Sequence, residues 1–273
     1  MPADQGTPWL GQGKLVLGMI HLQAMPGTPY HRDGSFQETL HTAVRSARAL
    51  REGGADGCLI QTVDRVYAAG ENSDPARIAA LSLITRAVVE AVGAGFRVGA
   101  QLMRNAVRSS LAVVKVAGGS FTRVSALVGA TMSPSGLVQG DPLAVMDYRK
   151  KIDAHDVKII AEVESMHFTW LGGGKTVAEV ASAAWQAGAD AVSLCHTDDN
   201  TTMEMIAAVR AACPGLPIIL AGHTHHGNAA RLLGSQQGAD GAFVGTCLET
   251  DGWGSAIDPD KVKSYVASIR ERR

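Results

Sequence analysis

The sequence has little of what marks a secreted, membrane-spanning or nucleic-acid-binding protein. Its four cysteines, Cys58, Cys195, Cys213 and Cys247, form no C-x-x-C pair or tight cluster, so no disulfide framework is predicted. The formal net charge of −1 provides no basic field for nucleic acid or an anionic membrane surface. No segment reaches about 18 uncharged apolar residues, and residues 1–13 have no basic segment followed by an apolar run. We therefore expect no nucleic-acid or membrane partner and a cytoplasmic location.

What the chain does have is apolar content and a repeated junction. A chain of 273 residues with 46% hydrophobic content can bury a large core, and this length is typical of one (β/α)₈ domain. The sequence Gly-Ala-Asp occurs at 54–56, 188–190 and 238–240, each time between a helical pattern and a short apolar run. In each junction we expect a left-handed glycine to end the helix and the aspartate to begin a strand.

Eight strand starts are predicted, and helix-length segments separate them. They lie near Leu15, Asp56, Phe96, Phe121, Val157, Asp190, Leu216 and Gly241. No G-x-G-x-x-G motif follows the first strand, which favours a closed barrel over an open dinucleotide-binding sheet. The predicted fold class is α/β, a single-domain (β/α)₈ TIM barrel with an N-terminal extension at 1–13.

The segment from Pro217 to Leu248 predicts a phosphate site. Two apolar runs in it end in small residues, so that Gly222 and His225 follow the seventh strand and Gly245 and Thr246 follow the eighth. In (β/α)₈ barrels, backbone N–H groups at these two positions commonly hold a phosphate. A small phosphorylated molecule is therefore the expected partner. The alternative is that these glycines only form tight turns.

Polar residues gather at the predicted carboxyl ends of the strands, where barrel enzymes carry their sites. They are His21, Gln61, Gln101, Arg104, Asn105, Arg123, Ser125, Glu162, Glu164, His167, His196 and His223. Strand alternation puts Arg123 with Ser125, and Glu162 with Glu164, each pair on one face. A charge inside a barrel is costly unless it is paired or used.

These residues divide into predicted catalytic and binding groups. Glu162, Glu164, His167 and His21 are the candidates for proton transfer, and the other residues of the set are candidates for substrate binding. The structural alternative is an Arg123–Glu162 ion pair that only fixes strand register. Asp198 either caps the following helix or holds Mg²⁺ against a diphosphate substrate.

Several segments, taken together and in order, resemble the BtpA/SgcQ family. They are Gly18–Leu22, Met25–Gly27, Gly54–Gly57, Val98–Asn105, Phe121–Val124, Ala161–Val163 with His167, Ala189–Val192 and Val244–Thr246. The resemblance covers about Leu15 to Val266 and implies a phosphate-binding barrel. Some members of the family are linked by name to photosystem I assembly, and others are associated with sugar-phosphate and nucleoside pathways. Departures at Gln61, Glu162, Gly222 and Glu249 cluster at the predicted barrel mouth and indicate a different substrate.

We therefore expect an enzyme that acts on a phosphorylated sugar or nucleotide. The resemblance favours making or breaking the glycosidic bond between a nucleobase and a sugar phosphate, with Arg104 and Arg123 steadying anionic oxygens. One alternative is a sugar-phosphate isomerase, epimerase or aldolase. Another is a non-catalytic assembly or stability factor of a photosynthetic complex. A homo-oligomer is expected because barrels of this kind commonly pair.

Overall fold

The computed structural model describes residues 13–64 and 66–270. Within them, eight parallel strands close into a barrel in the order β1-β2-β3-β4-β7-β9-β10-β11. These strands are β1 (Leu15–Leu22), β2 (Gly57–Thr62), β3 (Arg97–Gln101), β4 (Phe121–Val124), β7 (Lys158–Glu164), β9 (Ala191–Leu194), β10 (Ile218–Leu220) and β11 (Gly241–Val244). The predicted (β/α)₈ barrel is confirmed. The predicted N-terminal extension lies outside the described residues apart from Gly13.

Helices follow the barrel strands and cover the outside of the sheet. They are α1 (Phe36–Glu52), α2 (Pro75–Val92), α3 (Val107–Ala117), α4 (Pro142–Lys151), α5 (Val177–Gln186), α6 (Asp199–Ala212), α7 (Ala229–Leu233) and α8 (Pro259–Arg270). Asp-Pro pairs begin three of them. The side chains of Asp74, Asp141 and Asp258 accept hydrogen bonds from the amides of Ala76, Ala144 and Asp260 respectively. No helix in the described part of the chain is long and apolar enough to cross a membrane.

The barrel interior has its own hydrophobic cluster, separate from the one between sheet and helices. It consists of Leu15, Leu17, Met19, Leu59, Phe121, Ile160, Ala191, Ile219 and Phe243. Gly99 makes room for it, since a Cβ at this position would lie 2.4 Å from the Phe121 ring. Because successive side chains alternate between the two faces of a strand, the next inward layer toward the carboxyl ends is polar.

Each Gly-Ala-Asp aspartate joins its strand to a neighbour at the closed end of the barrel. Asp56, Asp190 and Asp240 accept hydrogen bonds from the amides of Val16, Ile159 and Ile218 respectively. Each also pairs with an arginine from an adjacent helix. Gly54 and Gly188 are left-handed as predicted, with φ of +87° and +102°.

The third Gly-Ala-Asp junction differs from the prediction. Gly238 does not have a positive φ. Glycine is required there for space, because a Cβ would lie 2.5 Å from the carbonyl oxygen of Leu232.

A small antiparallel sheet stands outside the barrel. Its strands are β5 (Ala130–Ser133), β6 (Gly136–Gln139) and β8 (Thr169–Trp170), in the order β6-β5-β8. The Trp170 indole donates a hydrogen bond to the Val163 carbonyl oxygen at 2.9 Å. Because β5 follows β4 and β8 follows β7, the pairing of β5 with β8 joins the loop after β4 to the loop after β7.

Candidate functional site

A cavity of about 680 Å³ opens at the carboxyl ends of the barrel strands. Ten of the predicted site residues line it: His21, Gln61, Arg104, Arg123, His167, Gly222, His223, His225, Gly245 and Thr246. Seven predicted site residues do not line it: Gln101, Asn105, Ser125, Glu162, Glu164, His196 and Asp198.

Arg123 and Glu162 form a buried ion pair between adjacent strands β4 and β7. The Arg123 Nη2 lies 2.6 Å from the Glu162 Oε1, and the two residues are only 8% and 2% exposed. The guanidinium lies 5.5 Å from the centre of the Phe243 ring, so it sits on the apolar interior cluster. Both side chains therefore point into the barrel, and Arg123 also faces the cavity.

Arg104 contributes a second cation to the cavity. Its guanidinium lies 6.0 Å from the centre of the Tyr67 ring, a cation–π contact. Its side chain forms no hydrogen bond or ion pair with the described residues, and its Nε is buried without a partner. The cavity thus has two guanidinium groups, of which one is paired with a carboxylate.

A chain of hydrogen bonds supports Gln61 and the loop after β3. Gln61 Nε2 donates to Gln101 Oε1 at 2.8 Å, and Gln101 Nε2 donates to Ser125 Oγ at 3.4 Å. Ser125 Oγ donates to the Arg104 carbonyl oxygen at 2.9 Å. Gln101 and Ser125 therefore position cavity-lining groups without facing the cavity themselves, in place of the predicted substrate contacts.

Asn105 also has a structural position. Its side chain exchanges two hydrogen bonds with the backbone of Ala126, at 2.9 and 3.0 Å, and is buried. It ties the loop after β3 to the loop after β4. The predicted contact with substrate has no geometric support at this residue.

Glu249, to which the sequence analysis assigns no catalytic or binding role, contacts the predicted catalytic residue His21. Its Oε1 lies 3.2 Å from the His21 Nδ1, it is 2% exposed, and its Oε2 accepts a hydrogen bond from the Gly254 amide. An ionised carboxylate can only accept, so Nδ1 carries the hydrogen and Nε2 is the basic nitrogen of His21. The Trp253 ring packs 5.2 Å from the His21 ring.

Glu164 and His167 are the predicted catalytic residues that follow Glu162, and only His167 lines the cavity. A register shift interrupts β7 between Glu162 and Glu164, and the Glu164 carboxylate accepts a hydrogen bond from the Ser165 amide. Glu164 is therefore not a second carboxylate in the cavity. Burial raises the pKa of Glu164. Burial also lowers the pKa of His167, which keeps that imidazole neutral near pH 7.

The loop after β10 forms one wall of the cavity. Asn228 fixes it, because its Oδ1 accepts from the His225 amide at 2.8 Å and its Nδ2 donates to the His223 carbonyl oxygen at 2.9 Å. Thr224 Oγ1 accepts a hydrogen bond from the buried Tyr265 hydroxyl. Gly222 has φ of +136°, and a Cβ there would meet no atom within 4 Å.

The backbone amides of this loop are free. Within the described residues, the N–H groups of Gly222, His223 and Thr224 donate no hydrogen bond. Gly245 faces them from the end of β11, and its missing side chain leaves room for the His21 ring, whose Cε1 would lie 3.2 Å from a Cβ. The turn therefore has unoccupied donors next to open space.

Asp198 is a helix cap. Its carboxylate accepts a hydrogen bond from the Thr201 amide at 2.8 Å, which lowers the pKa of Asp198, and its own amide donates to His196 Nδ1. In residues 13–64 and 66–270, no group of three His, Cys, Asp or Glu side chains is arranged to hold a metal ion. Asp198 therefore has the first of its two predicted positions, the helix cap.

Comparison with solved structures supports the barrel architecture. A tryptophan synthase structure from Mycobacterium tuberculosis matches with a TM-score of 0.59 and 18% identity, over 94% of this chain and 94% of that chain. Phosphoribosyl anthranilate isomerase from Thermus thermophilus matches with a TM-score of 0.54 and 14% identity, over 94% of this chain and 100% of that one. At these identities the likeness is one of fold.

Comparison of sequences gives the family. The photosystem I biogenesis protein BtpA of Synechocystis is 28% identical over 259 residues, which cover 94% of this chain and 88% of that protein. The BtpA family model matches residues 12–271. The chain therefore belongs to the BtpA family.

Proposed function

We propose that this protein is an enzyme that acts on a phosphorylated sugar, with the phosphate held by the loops after β10 and β11. The observation that carries the proposal is the run of free amides at Gly222, His223 and Thr224 beside the cavity. Consecutive free N–H groups form a concave donor group that suits phosphate oxygens. Gly245 and Thr246 border the same space from β11.

Proton transfer on the bound sugar is the chemistry that these residues support best. His21, oriented by Glu249, presents Nε2 as a base, and His167, whose pKa is lowered by burial, is a neutral imidazole that can donate a hydrogen bond to the carbonyl oxygen. A base and an acid on either side of a carbonyl are what isomerisation or epimerisation requires. No lysine among the described residues lines the cavity, so a Schiff-base aldolase is not proposed.

Making or breaking a glycosidic bond is the second candidate. It is favoured by Tyr67 and Trp253, which border the cavity and offer aromatic faces to a nucleobase. Glu162 would then stabilise an oxocarbenium-like centre. Neither expected carboxylate lines the cavity, and only Glu162 contacts a residue that does, so this reaction comes second.

The name of the Synechocystis relative points to a third role, as an assembly factor. Arg104 argues against it. A half-buried guanidinium without a protein anion is costly to keep unless a ligand uses it. We therefore place the binding of an anionic small molecule first.

Thermal unfolding in the presence of ligands tests the proposal. The panel contains ribose 5-phosphate, fructose 6-phosphate, phosphoribosyl diphosphate and a nucleoside monophosphate, each with and without Mg²⁺. A ligand at about 100 times its Kd stabilises the fold by about 2.7 kcal/mol. Incubation followed by NMR of the sugar then separates the reactions, since interconversion supports isomerisation and release of a base supports glycosyl transfer.

A matched pair of glycine variants locates the phosphate. Gly222→Ala and Gly172→Ala both place a Cβ in open space at a positive φ, of +136° and +89°, but Gly172 does not line the cavity. We expect only Gly222→Ala to lose the stabilisation by sugar phosphates. Equal stabilisation of both variants would show that the loop does not hold the phosphate, and an absence of stabilisation by any phosphate in the parent protein would favour the assembly factor.

A further inference from the structure

Two arginines lie beside the same aromatic ring, and only one of them forms an ion pair with the described residues. Arg77 and Arg104 lie 5.9 and 6.0 Å from the centre of the Tyr67 ring. Arg77 is fully engaged, because it contacts Asp64 at 2.6 Å and also donates to Thr62 and Ser73. Arg104 has no such partner among the described residues. The fold supplies an anion for one guanidinium and leaves the other open to the cavity.

Arg123, which lines the same cavity as Arg104, also has N–H donors that form no hydrogen bond with the described residues. Only its Nη2 is bonded, to Glu162, and its Nε is buried without a partner. The residue is 8% exposed and lines the cavity together with Arg104. Both guanidinium charges act on His167, which places the three side chains in one electrostatic neighbourhood. Of these two cations, Arg123 is paired with the Glu162 carboxylate, and Arg104 has no paired carboxylate among the described residues.

The arginines lie across the barrel from the free amides. Arg123 is on β4 and Arg104 follows β3, whereas the amides follow β10 and Gly245 follows β11. In the ring of eight strands, β4 is four places from β11 and β3 is four places from β10, in either direction. One cavity thus has anion-binding groups on opposite sides.

We infer that Arg104 and Arg123 form a second anion subsite, so that the substrate is a sugar phosphate with another oxyanion, a carboxylate or a second phosphate, at its far end. This inference rests on the proposed phosphate site at Gly222–Thr224. Guanidinium groups donate pairs of hydrogen bonds that match carboxylate and phosphate oxygens equally, so the two are sources of one chemistry. The sugar would span the cavity between the two anions.

Binding of three matched compounds tests the inference. Fructose 6-phosphate has one anionic group, fructose 1,6-bisphosphate adds a second phosphate and 6-phosphogluconate adds a carboxylate. We expect at least one of the two compounds with a second anionic group to bind the parent protein roughly tenfold or more tightly than fructose 6-phosphate, as one charge-assisted contact allows. Which of the two compounds gains the advantage identifies the second group.

The matched variants are Arg104→Gln and Arg45→Gln. Neither arginine forms an ion pair with the described residues, so neither substitution leaves an unpaired acid, but Arg45 is exposed on α1 away from the cavity. We expect Arg104→Gln to reduce the advantage of the compound with two anionic groups over fructose 6-phosphate to about twofold or less, while Arg45→Gln keeps that advantage. Isothermal titration calorimetry measures all of these affinities.

The outcomes separate this inference from the proposed function. If fructose 6-phosphate binds but neither compound with a second anionic group binds more tightly, or if Arg104→Gln keeps the advantage, the second subsite is wrong and the proposed function stands. If none of the three compounds binds the parent protein, both are overturned.

Discussion

Arg123 and Glu162 place two opposite charges inside the barrel, and each is tolerated there because of the other. Removing one partner of a buried pair leaves a buried charge without compensation, which costs about 3–5 kcal/mol. We therefore expect Arg123→Ala to lower the free energy of unfolding by that amount. Denaturation by urea, followed by circular dichroism, measures the change.

A double substitution distinguishes stability from ligand binding at this pair. Arg123→Met combined with Glu162→Gln removes both charges and should recover most of the stability lost in Arg123→Ala. If Arg123 contacts the second anion of the ligand, neither variant should bind a sugar phosphate with two anionic groups more tightly than one with a single phosphate. A double variant that is stable and keeps that advantage would mean that the pair only fixes the register of β4 and β7.

Glu164 gives a stability effect that depends on pH. Burial raises the pKa of this carboxyl in the folded state, so its charged form is penalised once pH rises through that pKa. Below about pH 4 the group is protonated in both states and the penalty vanishes. Glu164→Gln keeps an acceptor for the Ser165 amide and should therefore unfold at a higher temperature than the parent at pH 7–8 and at the same temperature near pH 4. A difference that stays constant across this pH range would contradict the assignment.

The His21–Glu249 contact shows which part of the site the sequence predicts and which part it does not. The strand pattern alone predicts His21 as a site residue, because His21 lies at the carboxyl end of the first strand. Glu249 lies 228 residues away in the chain, and only closure of the barrel between β1 and β11 brings them together. The sequence marked Glu249 as a departure at the predicted mouth but gave no partner for it.

Among elements, the barrel strands were predictable and the small sheet was not. Each barrel strand is a short apolar run, and all of them except β7 follow a glycine-containing turn, which is a local pattern. The predicted starts lie within two residues of the observed ones. Strands β5, β6 and β8 have four, four and two residues. Their apolar alternation is too short to recognise, and β8 pairs with β5 across a whole barrel strand and helix α4.

Helix α8 braces the loop after β10 through one hydroxyl group. Tyr265 is fully buried, and its hydroxyl donates to Thr224 Oγ1 at 2.9 Å. We expect Tyr265→Phe to cost about 1 kcal/mol of stability and to weaken phosphate binding, because the free amides of the loop lose a support. Tyr148→Phe on α4 is the control, since this residue does not border the cavity. Unchanged phosphate affinity in Tyr265→Phe would mean that Asn228 alone fixes the loop.

In the whole molecule, the aspartates that join the strands at the closed end and the proposed site lie at opposite ends of the barrel. The aspartates of the three repeated junctions hold neighbouring strands together at the closed end, and the cavity opens at the other end. This separation is the usual division in (β/α)₈ barrels. It predicts that substitutions at the closed end change stability without changing ligand binding at the cavity.

Asp190 is the residue on which to test this independence. It accepts a hydrogen bond from the buried Ile159 amide and pairs with Arg149 and Lys158 at 3.0 and 3.1 Å. Asp190→Ala leaves that amide without an acceptor and should cost about 2–3 kcal/mol of stability, whereas Asp190→Asn keeps one acceptor and should cost less. Both variants should bind fructose 6-phosphate with the affinity of the parent, measured well below their unfolding temperatures, while Gly222→Ala should lose binding with a smaller loss of stability. A parallel loss of affinity in the Asp190 variants would mean that the closed end sets the geometry of the cavity, and the two ends would then have to be treated as one mechanical unit.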